Sequence, residues 1–122
     1  MSRGQKQAAV GFCLGGGLSA RLAAADPQLS AAVIFYGTSP GDELVPQINA
    51  ALLGLYGELD PRINNTISAF AAAAERHGKR FEHHIYPGAQ HAFFNENRPS
   101  YNVAATRDAT VRVLAFLQKH LA

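Results

Sequence analysis

Four short apolar runs, separated by turns and helical patterns, narrow the folds open to this chain to one class. Gln7-Ala8-Ala9-Val10-Gly11-Phe12, Ala31-Ala32-Val33-Ile34-Phe35-Tyr36 and Ala51-Leu52-Leu53-Gly54-Leu55-Tyr56-Gly57 are almost unbroken in apolar residues. Strands of that kind belong in a sheet covered on both faces. Arg80 to Tyr86 is the fourth run, with Phe81 and Ile85 its apolar members. After the first run, Leu18, Leu22 and Ala25 recur at helical spacing until Asp26-Pro27 stops them. After the third, Ile63, Ile67, Phe70 and Ala74 mark one face of a second helix, with Gly78 at its end. The polar stretch Thr38 to Gln47 reads as a loop with one short helix, and Pro87 to Pro99 as a loop. A last helix runs from about Tyr101 to Leu121, with Val103, Val111, Leu114, Leu117 and Leu121 near one face. The order β-α-β-loop-β-α-β-loop-α predicts an α/β fold: about four parallel strands flanked by helices, with right-handed crossovers. In such sheets the working residues gather beyond the carboxyl ends of the strands.

Composition narrows the function. The chain has 122 residues, 48% of them hydrophobic and 16% charged, which suits one globular domain over 1–122. Eleven Lys and Arg against nine Asp and Glu leave a formal charge of +2, and the basic residues are scattered. That pattern gives no nucleic-acid partner. A single cysteine excludes an internal disulfide framework and a Cys-cluster metal site. His83 and His84 are neighbours in a strand and point to opposite faces, so they do not chelate one ion. No metal or cofactor is expected. No apolar run approaches the roughly 20 residues of a membrane span. No long apolar segment follows Met1 to Gln7, so no membrane association and a cytoplasmic location are the expectation.

Three post-strand loops carry candidate chemistry. The first reads Gly11-Phe12-Cys13-Leu14-Gly15-Gly16, a G-x-C-x-G between a strand and a helix. This is the setting of a nucleophile elbow, with Cys in the nucleophile's place. Side chains at Gly11 or Gly15 would collide across the turn. The helix N-terminus there favours thiolate over thiol, and the Leu14 N–H is placed to meet a developing oxyanion. The alternative is a buried cysteine in a Gly-rich turn. Phosphate-loop patterns are absent. The second loop reads Gly57-Glu58-Leu59-Asp60-Pro61: Asp60 is either a site carboxylate or a helix N-cap, and Glu58 is a second acid in the same turn. The third reads Pro87-Gly88-Ala89-Gln90-His91, where His91 is a natural general base or a surface histidine. The order Cys13, Asp60, His91 after strands one, three and four is the chain order of the α/β-hydrolase triad.

With these segments in view, the sequence resembles the dienelactone hydrolase (carboxymethylenebutenolidase) family. The matching stretches are Val10 to Gly16, Leu55 to Arg62 and Tyr86 to Asn95, joined by Tyr36-Gly37, the Arg98-Pro99-Ser100-Tyr101 turn and the final helix. The resemblance implies a partial α/β-hydrolase fold equivalent to the C-terminal half of a full member. It implies Cys13 as nucleophile, His91 as base and acid, Asp60 as its orienting carboxylate, and Tyr36 and Phe93 as substrate contacts. The family's N-terminal half supplies further central strands, a second oxyanion donor and residues that hold the substrate carboxylate. Where the family has a basic residue a few places beyond the histidine, this sequence has Asn95, with Arg98 the first basic residue.

The implied function is slow hydrolysis of a small-molecule carboxylic ester or lactone by a Cys-His-Asp triad. A catalytically inactive half-fold that serves binding or assembly is the alternative. In the family the nucleophile strand is paired on both sides, so here its outer edge is bare. An apolar bare edge invites pairing. A homodimer joined antiparallel through that edge would rebuild eight strands from four and four.

Overall fold

The computed structural model describes residues 6–12, 14–37, 43–91, 93 and 101–121, with the side chains of 14–18 outside that description. Its elements follow the predicted order: β1 (Ala8–Phe12), α1 (Leu14–Ala25), β2 (Ala31–Phe35), a 3-10 turn (Val45–Gln47), β3 (Ala51–Gly57), α2 (Pro61–Arg76), β4 (Phe81–Tyr86) and α3 (Val103–Leu121). The four strands form one parallel sheet in the order β1-β2-β3-β4, so spatial order equals chain order. β2 and β3 are buried along their whole length, as their unbroken apolar sequences require.

The two faces of the sheet are covered by different helices. Val33, Phe35, Leu53 and Leu55 pack with Ala105, Ala109 and Phe116 of α3. Ala32 and Leu52 pack with Ala23 and Ala24 of α1 and with Phe70 and Ala73 of α2. Helix α2 buries Ile63, Ile67, Phe70 and Ala74, the face its spacing predicts. The other two helices correct the expectation. In α3, Val103, Val111 and Leu114 are exposed, while Ala105, Ala109 and Phe116 turn inward. In α1, Leu22 and Ala25 are exposed, while Ser19, Ala20, Ala23 and Ala24 are buried. For α3 the reason is steric: its alanines let it approach a sheet face that already carries Val33, Phe35, Leu53 and Leu55. Among the described residues, no helix is long and apolar enough to cross a membrane.

Two local features fix α3. Asn102 precedes it, and its Oδ1 accepts the N–H of Ala105 at 3.0 Å, satisfying one of the orphan donors of the first turn. The Tyr86 hydroxyl at the end of β4 donates to Asp108 Oδ2 at 2.7 Å, and Arg112 Nε donates to the same oxygen at 2.6 Å. Burial, reinforced by the carboxylate, holds the Tyr86 phenol far above its ordinary range.

Among the described residues β1 pairs on one side only, with β2. Ala8, Val10 and Phe12 are in register with Ala31, Val33 and Phe35, on the α3 face of the sheet. Helix α3 lies over β2 and β3. Val10 is 45% exposed and Phe12 42%. Among the described residues, β1 therefore has an exposed apolar flank beside an edge that pairs with no strand.

Candidate active site

The carboxyl ends of β3 and β4 bring two of the predicted residues together. His91 Nδ1 lies 2.5 Å from Asp60 Oδ2, a short bond between a ring nitrogen and a carboxylate. The Asp60 side chain is 9% exposed and that of His91 33%. Asp60 occupies the N-cap position of α2, yet its side chain makes no capping bond to the helix. Two features make that affordable. Pro61 stands at the first helical position, where its missing N–H removes one orphan donor. The Asp60 carbonyl accepts the Asn64 N–H at 3.0 Å, which starts the helical ladder. The carboxylate is bonded to the histidine and not to the helix end.

The turn that carries Asp60 is laced to the loop that carries His91. Asn64 Nδ2 donates to the carbonyls of Gly57 (2.8 Å) and Glu58 (3.1 Å), shaping the β3–α2 turn. Across the gap, Glu58 N–H donates to Tyr86 O at 3.0 Å and Leu59 N–H to Ala89 O at 2.9 Å. Gly57 is what lets the two segments come so close. A Cβ built there would stand 2.6 Å from Ala89 O and 2.7 Å from Gln90 O. On the far side of His91, Phe93 O accepts Asn102 N–H at 2.9 Å and Thr106 Oγ1–H at 3.2 Å, tying the loop to the start of α3. His91 is thus held between two anchored stretches.

An aromatic cluster backs the histidine. The Tyr36 and His91 ring centroids are 5.0 Å apart, and Phe93 stands 5.3 Å from Tyr36. Tyr36 and Phe93, expected as substrate contacts, are 2% and 0% exposed. Their visible work is to support His91 from within the core. Tyr36 has φ +39°, the one left-handed non-glycine among the described residues. Such a backbone costs on the order of 1–3 kcal/mol. Its N–H to Leu55 O bond at 2.7 Å and its ring packing hold it there. Phe12 stacks on Phe35 at 4.4 Å and lies 6.3 Å from Tyr36, so the end of β1 opens onto the same aromatic cluster.

The turn from Gly11 to Gly15 is described at its flanks. Gly11 is buried in β1, β1 ends at Phe12, and α1 begins at Leu14 with Gly15 in its first turn. Cys13 itself lies outside the described residues, as do Asn95 and Arg98. The remaining histidines stand apart from the site. His83 stacks on Phe81 and His84 packs against Tyr86, on opposite faces of β4 as strand alternation requires. Burial and the charge of Arg112 lower the pKa of His84, and burial with nearby Arg80 and Lys119 lowers that of His120. Sequence reasoning missed Gly57, Asn102 and Thr106 as builders of the site. Only Asn102, a cap residue just before an apolar-periodic helix, carried a local signal.

Comparison with known proteins identifies this architecture. The model of the dienelactone hydrolase family matches residues 1–121. The chain belongs to the dienelactone hydrolase family. A provisionally named carboxymethylenebutenolidase of Saccharolobus solfataricus is 42% identical over 116 residues, covering 94% of this chain and 45% of that protein. A provisionally named 2-oxo-3-(5-oxofuran-2-ylidene)propanoate lactonase of Bradyrhizobium is 35% identical over 132 residues, covering 98% of this chain and 52% of that protein. The crystal structure of a provisionally named dienelactone hydrolase from Klebsiella pneumoniae superposes with a TM-score of 0.83 at 34% identity, covering 88% of this chain and 50% of that one. The chain therefore spans about half the length of these relatives. As a family member it has the partial α/β-hydrolase fold, four parallel strands with flanking helices.

Proposed function

We propose that this family member hydrolyses carboxylic esters or lactones, with Cys13 as nucleophile, His91 as general base and acid, and Asp60 as the carboxylate that orients His91. The observation that carries the reading is the Asp60–His91 pair, made by a carboxylate that forgoes its helix cap. The flanks of Cys13 support it: a strand end and a helix start in the family's G-x-C-x-G pattern, beside the aromatic cluster that backs His91. The lactonase name carried by one relative supports lactones as a substrate class.

The chemistry runs in two balanced halves. With Nδ1 bonded to Asp60, His91 Nε2 takes the Cys13 thiol proton as Sγ bonds to the carbonyl carbon. The oxygen becomes an oxyanion, met by the Leu14 N–H. The tetrahedral species collapses, the C–O bond breaks, and the departing alkoxide takes the proton from His91. In a lactone the new hydroxyl stays attached to the acyl group. Water then attacks the thioester carbon while His91 takes its proton. The C–S bond breaks, the acid leaves, and Cys13 recovers the proton. The 122 residues by themselves carry one oxyanion donor in this reading. Lacking a second costs about 10²–10³ in rate, so the isolated chain is slow rather than inert.

The test is steady-state hydrolysis of p-nitrophenyl acetate by the wild type and by Cys13→Ala at matched concentration. The expected result is a measurable rate that disappears in the variant. Equal background rates would overturn the hydrolase reading in favour of a binding role.

The bare side of β1 is read here as the place where a second copy pairs. Antiparallel pairing about a two-fold axis is self-complementary, and it covers the exposed edge with Val10 and Phe12 beside it. Light scattering across a concentration series is expected to give twice the chain mass, falling to one for Val10→Lys. A wild type that stays monomeric at all concentrations would refute the pairing.

A further inference from the structure

The two acids of the β3–α2 turn hold the same loop at two points, three residues apart. Asp60 takes His91. Glu58, exposed to solvent, accepts the Gly88 N–H on its Oε1 at 2.9 Å. Gly88 has φ +72°, a left-handed backbone that swings its N–H toward the β3–α2 turn. Around this bond the main chains add three more: Glu58 N–H to Tyr86 O, Leu59 N–H to Ala89 O, and Ala89 N–H to Tyr86 O at 3.2 Å. Three of the four bonds cross between the two turns. The Glu58 bond alone among those three depends on a side chain, so it alone is set by residue identity.

The geometry points to Glu58 as a positioning residue for His91: its carboxylate clamps the Pro87-Gly88 turn, fixing the loop at the end from which His91 is delivered to Asp60. The physical case rests on where the loop is otherwise held. Downstream, Phe93 O is anchored by Asn102 and Thr106. Upstream, Gly57 gives the loop a flat seat against which Ala89 and Gln90 rest, but a seat opposes only motion toward β3. Motion away from it is opposed by the cross-turn hydrogen bonds, and the charged acceptor is the strongest kind among them. A base displaced by a fraction of an ångström loses much of its rate without losing its substrate. The Glu58 carboxylate bonds Gly88 and not His91, so its effect on the histidine passes through the loop.

This inference rests on the hydrolase reading for its kinetic arm and on geometry alone for its spectroscopic arm. The kinetic arm compares wild type, Glu58→Ala, Glu58→Gln and Glu58→Asp with p-nitrophenyl acetate. Alanine is expected to lower kcat about tenfold, with KM little changed, as a misplaced base should. Glutamine keeps an oxygen at the same reach and restores most of the rate. Aspartate keeps the charge, falls one methylene short, and behaves like alanine. The spectroscopic arm follows the downfield imidazole N–H proton of the Asp60–His91 bond by NMR. It is expected to be sharp in wild type and Glu58→Gln, and broadened in Glu58→Ala and Glu58→Asp. That readout needs no turnover, so an inactive chain still tests the clamp, and failure of the hydrolase reading is seen separately in Cys13→Ala. An unchanged resonance in Glu58→Ala, or an aspartate variant indistinguishable from wild type, would overturn the proposal.

Discussion

Asp60→Asn is expected to lower kcat for Cys13-dependent ester hydrolysis by about 10³- to 10⁴-fold while leaving the fold standing. Asparagine is nearly the size of aspartate, so the loop packing survives. What changes is the proton. Aspartate accepts from His91 Nδ1–H and so leaves Nε2 with the lone pair that takes a thiol proton. An asparagine that presents its NH₂ to Nδ1 stabilises the opposite tautomer, with the proton on Nε2, and the base is lost. Because the Asp60 side chain caps nothing in α2, the urea midpoint should shift by no more than about 1 kcal/mol of stability. Kinetics with p-nitrophenyl acetate and urea denaturation of the same preparation check both halves. A loss under tenfold with an intact fold would mean that the pair is structural.

The second large effect is Gly57→Ala. The added methyl meets main-chain oxygens of Ala89 and Gln90, which have no rotamer to escape into. The β4–α3 loop must retreat, and His91 retreats with it. The expected loss of stability is about 1–3 kcal/mol, together with a fall in kcat of about 10². Gly54→Ala is the control. Its Cβ would meet the Tyr56 ring and hydroxyl at 2.5–2.8 Å inside β3, so the clash is as tight. That clash lies away from the loop, and the variant should lose stability with little change in kcat per folded molecule. If both variants lose activity only in proportion to the unfolded fraction, Gly57 matters for packing and not for the site.

The sheet and the site were legible in the sequence to different depths. Unbroken apolar runs such as Ala31 to Phe35 announce a doubly covered strand, and the alternation with helices then leaves little choice of topology. Ile63, Ile67 and Phe70 announce a helix face because the large apolar residues at helical spacing are the ones that α2 buries. The same rule misread α1 and α3. There the inward positions are mostly alanines, with Phe116 the large exception, and Val111 and Leu114 are left outside. Hydrophobicity says which residues prefer burial, while the distance between layers decides which side chains have room. Asp60 shows a similar limit. Its neighbours Leu59 and Pro61 suit a cap and a site acid equally well, while its bond goes to a residue 31 positions away. Tyr36 gave no hint of its left-handed backbone, which its contacts with His91, Phe93 and Leu55 O impose from outside the local sequence.

The collinear sheet has a consequence for synthesis. Each strand pairs with the one made just before it, so the sheet can thicken from one side as the polypeptide leaves the ribosome, with no gap held open for a later insertion. The seed is β1. The Asp60 carboxylate and the His91 imidazole arrive with the third and fourth additions, and their meeting waits until residues past 91 have emerged. The exposed apolar flank with Val10 and Phe12 is made with the first of the four strands. Of the surfaces on these four strands it is therefore the oldest, presented to chaperones and sister chains while β2, β3 and β4 are made.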